Sequence, residues 1–144
     1  MPFQFSLAAV LRLRQTLEDR DKLALEQIQY QIVQVTQTLE QIEIEKIKDA
    51  ETRQREMTTG IPGAHVLAVA ADQQRLEETR KLLEQQLVKL RIERERRLAV
   101  YQDSRRKREV ISELRTQQLD AYQVEESRRQ QKMLDDIFLS RLPK

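Results

Sequence analysis

Few side chains in this sequence could do chemistry. A histidine can act as base, acid or metal ligand, and the chain has one, His65. Nucleophilic catalysis needs a base within reach of a nucleophile, and no Ser or Cys stands near His65. The absence of cysteine excludes a disulfide framework and thiolate metal sites. A single histidine excludes a histidine-rich metal site. The acidic pairs Glu125-Glu126 and Asp135-Asp136 are adjacent in sequence. Neighbours on a helix point apart, so neither pair forms one acid–base site. With only Gly60 and Gly63, there is no glycine-rich phosphate loop. No catalytic residue, metal or cofactor is expected, and the chain does not read as an enzyme.

The sharpest charge feature runs from Arg91 to Arg108, with 8 basic and 3 acidic residues. Such a run suits phosphate contact and nucleic-acid binding. It equally suits a solvated helix face with ion pairs to an acidic neighbour. Tyr101 is its one aromatic, and no zipper follows it. A basic coiled-coil nucleic-acid binder and a coiled-coil general chaperone stand as alternative functions.

The elements that carry these residues follow from composition. Charged residues make 35%, hydrophobic ones 39% and aromatics 4%, with no Trp. Leu, Ile and Val set among charges, without aromatics for a thick core, indicate long helices or coiled coil. The start MPFQFSLAAVLRLRQ has no basic n-region before a long apolar run. No stretch approaches the roughly 20 apolar residues of a membrane span. A cytoplasmic protein is the expectation. Residues 1–56 hold 8 Lys/Arg and 10 Asp/Glu, and residues 57–144 hold 18 and 14, so the halves differ in sign. This favours their lying side by side.

Leu25, Ile28, Ile32, Val35, Leu39 and Ile42 alternate steps of three and four. That is an a/d seam facing a partner helix. Leu7, Leu11 and Leu17 continue it less strictly, with Arg14 and Asp21 intruding. Val66, Val69, Leu76, Leu83, Leu87 and Leu90 form the second seam. The steps Leu90, Arg94, Leu98 insert an extra four, a stutter that locally unwinds the supercoil. Gly60, Pro62 and Gly63 stop one helix and start another.

The expected fold is all-α: an antiparallel two-helix coiled-coil hairpin over 1–144 as a single domain. Its helices are expected at about 6–56 and 64–140, with the tip at 57–63. This register places Ile42 near Leu76–Thr79 and Leu25 near Arg94–Arg97. It brings Glu18, Asp19 and Glu26 towards Arg91, Arg94, Arg96 and Arg97. The longer second helix should overhang beyond about residue 120, ending in the apolar cluster Met133, Leu134, Ile137, Phe138 and Leu142. A dimer of extended chains is the rival architecture. Phe3, Phe5, Leu7, Val10, Leu11 and Leu13 exceed what a two-helix seam can bury. They are expected either to staple against residues near Leu114 or Leu119 or to form a docking surface with the C-terminal cluster.

These pieces resemble the FliJ family of coiled-coil proteins of the bacterial flagellar type III export apparatus. The resemblance lies in Phe3-x-Phe5-x-Leu7-x-x-Val10-Leu11-x-Leu13-Arg14, the tip Met57-Thr-Thr-Gly60-Ile61 and the tail Gln131-Lys132-Met133-Leu134-Asp135-Asp136. It implies a stalk like that of rotary ATPases, a monomer whose paired termini seat in the hexameric export ATPase (FliI). It also implies contact with the export gate (FlhA), escort of export chaperones, and a place at the cytoplasmic face of the inner membrane through these partners. By position, the ATPase-facing residues are Phe3, Phe5, Leu7, Leu11, Leu13, Met133, Ile137 and Phe138. The gate-facing residues are Ile42, Leu76 and Leu83. Glu45, Asp49 and Asp72 stand where some relatives are expected to carry aromatic contacts.

Overall fold

A computed structural model describes residues 2–60 and 63–143, apart from the side chain of Ala64. Two helices, α1 (Ala8–Thr59) and α2 (Gly63–Ser140), form an all-α antiparallel hairpin. No strand occurs among the described residues. Contacts divide the chain into a turn unit, Lys22–Ala99, and a terminal unit, Met1–Asp21 with Val100–Lys144.

In the turn unit the apolar three–four step forms the seam as expected. Leu25, Val35 and Ile42 of α1 and Leu76 and Leu87 of α2 are buried. Among the described residues no side chain is completely buried, because two helices cover each other on one side only. The α1 step continues past Ile42 through Lys46, Asp49, Arg53 and Glu56, all half-buried. Their partners on α2 are polar as well. Lys46 donates to Glu77, and Arg53 Nη1 to Gln73 Oε1 at 3.3 Å. On α2, half-buried Leu90, Arg94 and Leu98 are separated by four and four, which is the stutter.

The turn corrects the expected register. α1 continues to Thr59, past the expected end at Glu56. It stops at Gly60, whose φ of 76° is open to glycine at no steric cost. The Gly60 N–H donates to the Glu56 carbonyl at 3.1 Å. Ile61 and Pro62 of the expected tip lie outside the described residues. The longer α1 moves opposing residues along by about one helical turn. Lys46, not Ile42, therefore faces the Leu76–Thr79 region, through Glu77.

In the terminal unit, Pro2–Phe5 have no regular structure and Ser6–Leu7 form a turn, so α1 starts two residues later than expected. The Ala8 N–H donates to the Phe5 carbonyl at 3.1 Å, and the Leu11 N–H to Leu7 at 2.9 Å. Phe5 is buried, and the Phe3 ring lies 5.5 Å from that of Tyr122. The staple therefore forms against Tyr122, about one turn beyond Leu119.

The α1 seam here is Leu7, Leu11, Arg14, Glu18 and Asp21, stepping by four and three. Asp21 is only 6% exposed. Ser104 Oγ donates to its Oδ2, and Arg20 Nε to its Oδ1 at 3.1 Å. Glu18 accepts from Arg108 Nε at 2.6 Å and Nη2 at 3.3 Å. This corrects the expectation that Glu18 meets Arg91–Arg97, since Arg108 is its partner. Beyond Glu126 every described residue of α2 is exposed.

Asp21 also yields a stability prediction. A buried charge loses hydration that its partners only partly replace, so an apolar residue of similar size is often better tolerated. Asp21→Leu should raise the urea unfolding free energy by about 1 kcal/mol. Ser104 can then turn its hydroxyl to a carbonyl of its own helix. A loss of similar size would mean that the Asp21–Ser104 contact holds the seam.

Candidate functional site

His65, the one histidine, is engaged in a structural pair. His65 Nε2 lies 2.6 Å from Glu56 Oε1, across the turn. Among the described residues no group of three His, Cys, Asp or Glu could hold a metal ion. Four open surface hollows, one of them at Asp120, Val124, Ser127 and Arg128, each lie along a single helix.

The basic run is largely neutralised. Arg94 pairs with Glu95, Arg96 and Arg97 with Glu93, Arg105 with Glu109, Lys107 with Asp103, and Arg108 with Glu18. Six of its eight cations are thus engaged within the chain. The hydrogen bond that Arg105 donates to Glu109 raises its pKa, and the bond that Arg108 donates to Glu18 raises that of Arg108. This geometry favours the solvated, ion-paired face over a phosphate-binding surface.

Near the turn the seam is a charge ladder. Hydrogen bonds from Arg80 and then Lys46 hold the Glu77 carboxyl down at about 2. Arg80 is raised in return, chiefly by its bond to Glu77. Asp49 behaves in the opposite way. A hydrogen bond with Asp72 raises its pKa, helped by burial and by the charges of Asp72 and Glu45.

The sign of the resulting pH dependence follows. A carboxyl raised in the fold binds its proton more tightly there than in the unfolded chain. Its stabilising effect is complete below the ordinary Asp range and is lost as pH rises through the raised value. Asp49→Asn should therefore stabilise the protein at pH 7, by about 0.5 kcal/mol, the scale of half-exposed charge interactions. The gain should vanish near pH 3.5, as thermal unfolding followed by circular dichroism at the two pH values would reveal. Equal gains at both would contradict a carboxyl–carboxylate pair.

The remaining candidates divide between buried and exposed. At the terminal unit Phe5 is buried, Phe3, Leu7 and Leu11 are half-buried, and Leu13 is exposed. Met133, Ile137 and Phe138 are all exposed. The structure does not bring these two groups together. Phe3 meets Tyr122, and Met133 lies eleven positions further along α2, about 16 Å by helix rise. Ile42 and Leu76 are buried in the seam, and Leu83 is half-buried. Ile42 and Leu76 therefore hold the helices together and present little surface of their own.

Sequence reasoning named Glu18, Asp21 and Arg108 without their partners across the seam, and passed over Ser104. The signal was present, because stepping back from Leu25 by four and three reaches Asp21, Glu18, Arg14, Leu11 and Leu7.

The described residues thus show an exposed apolar helix end and a seam that is polar in part. No curated protein and no solved structure matches the chain. The family model described as Flagellar FliJ protein matches residues 3–142. With nearly its whole length matched, the chain belongs to the FliJ family and is a component of flagellar protein export.

Proposed function

We propose that the protein is a non-enzymatic stalk, acting as one hairpin, that binds the hexameric export ATPase in the cytoplasm and links it to the export gate. The observation that carries this reading is the end of α2. There Met133, Leu134, Ile137, Phe138 and Leu139 are exposed on helix that has no α1 residue beside it. Exposed apolar side chains grouped on one element mark an interaction site. Leu13 and half-buried Phe3, Leu7 and Leu11 supply further ATPase contacts, nearer the start of α1. Such a stalk biases the ring by binding some of its conformations better than others.

The gate-facing surface is the turn unit. Ile42 and Leu76 stiffen it from beneath, and Leu83 borders it. Export chaperones are further partners, escorted by the same protein. Analytical ultracentrifugation of the full chain with the purified export ATPase tests the central contact. A co-sedimenting complex is expected. Separate sedimentation of two folded proteins would overturn the reading.

A further inference from the structure

Away from the seam, α1 of the turn unit carries a second apolar row. Leu23, Tyr30 and Ile44 recur at multiples of seven, and Val33 follows Tyr30 by three. Their exposures are 56%, 63%, 46% and 51%. Tyr30 stands midway between the seam residues Ile28 and Ile32, so by helix geometry it points away from α2.

Single exposed apolar residues need no explanation, and α2 has them too. Charge sets this row apart. From Leu23 to Glu45 there is no Lys or Arg, in a chain holding 26 among 144 residues. The same stretch contains Glu26, Glu40, Glu43 and Glu45, all exposed. Among the described residues Glu26, Glu40 and Glu43 take part in no ion pair. Lys22, Lys46 and Lys48 stand three or four residues from Glu26, Glu43 and Glu45, but among the described residues none pairs with them, whereas such a spacing forms ion pairs at Glu77, Glu84, Glu93, Asp103 and Glu109. This face thus carries unpaired carboxylates beside an apolar row, on a stretch with no cation of its own.

A helix laid along it needs apolar residues at the same spacing and cations on its flanks. We propose that the outward face of α1 from Leu23 to Ile44 docks an amphipathic helix of a partner protein with basic flanks. Nucleic acid and anionic membrane are repelled by the same carboxylates. A second copy of this chain fits less well, because most of its Arg91–Arg108 cations are already paired. The proposal stands apart from the ATPase reading.

The test uses the full chain and two labelled model peptides, helical, with leucines at three–four spacing. One carries Lys on its flanks and its twin carries Glu. Fluorescence anisotropy should give the Lys peptide at least about tenfold tighter binding. Glu40→Lys with Glu43→Lys should abolish that preference. Tyr30→Ser with Val33→Ser should weaken the Lys peptide about tenfold at unchanged helix content, since both side chains are exposed. No binding, or equal binding unaffected by Glu40→Lys and Glu43→Lys, would overturn the proposal. So would a dimer in sedimentation that Tyr30→Ser with Val33→Ser dissolves, since the face would then belong to a second copy.

Discussion

Ile42→Asp is expected to cost about 3 kcal/mol or more of folding stability, because it places an unpaired charge in an apolar seam. Ile42 is 6% exposed, and Leu76 of α2 in the same unit is buried as deeply. The nearest cation of the seam, Lys46, is already taken by Glu77. Ile42→Ala removes the same contacts without adding charge, and should cost about 2 kcal/mol. Urea unfolding of both variants, followed by helix content, separates the two contributions. If Ile42→Asp unfolds with the wild-type midpoint, the seam does not hold the hairpin together and the extended-chain architecture regains its place.

Ile137→Asp should leave the fold intact and weaken binding to the export ATPase by about 30-fold, the scale of a central interface residue at about 2 kcal/mol. Ile137 is 43% exposed and its flanking residues on α2 have no α1 opposite them. Its replacement therefore removes apolar area available to a partner and nothing from the chain's own core. Arg106→Ala, in the basic run, should change affinity less than threefold, as a peripheral charge does. Equal affinities for wild type and Ile137→Asp would move the docking surface away from the end of α2. The contrast with Ile42→Asp matters: one substitution acts on the fold and the other only on the partner.

The hairpin and its central seam were legible because Leu25 to Ile42 keep a strict three–four step and both glycines stand at the junction of the helices. The register was not. It depends on where α1 stops, and that is set by the positive φ of Gly60 rather than by the last apolar residue. The polar seam was misread for a different reason. Asp21 looks like an interruption of an apolar pattern, yet it holds a seam position because a partner awaits it. That partner, Ser104, lies 83 residues away in sequence. Periodicity names the position but not the residue across from it.

The N-terminal docking residues illustrate the same limit. Phe3 and Phe5 signal an excess of apolar surface, but much of it goes to local work. Phe5 is buried beside the start of α1, where its carbonyl accepts the Ala8 N–H, and Phe3 meets Tyr122. The C-terminal residues Met133, Ile137 and Phe138 remain available because α1 begins too late to reach them. Their exposure follows from the difference in helix length, 52 against 78 residues.

The most direct measurement is the ATP hydrolysis rate of the purified export ATPase with and without this protein. A stalk that favours the assembled ring raises the rate together with the fraction of hexamer, and that rise is the expected result. An unchanged rate and an unchanged hexamer fraction, with both proteins folded and in excess of any plausible dissociation constant, would contradict the stalk.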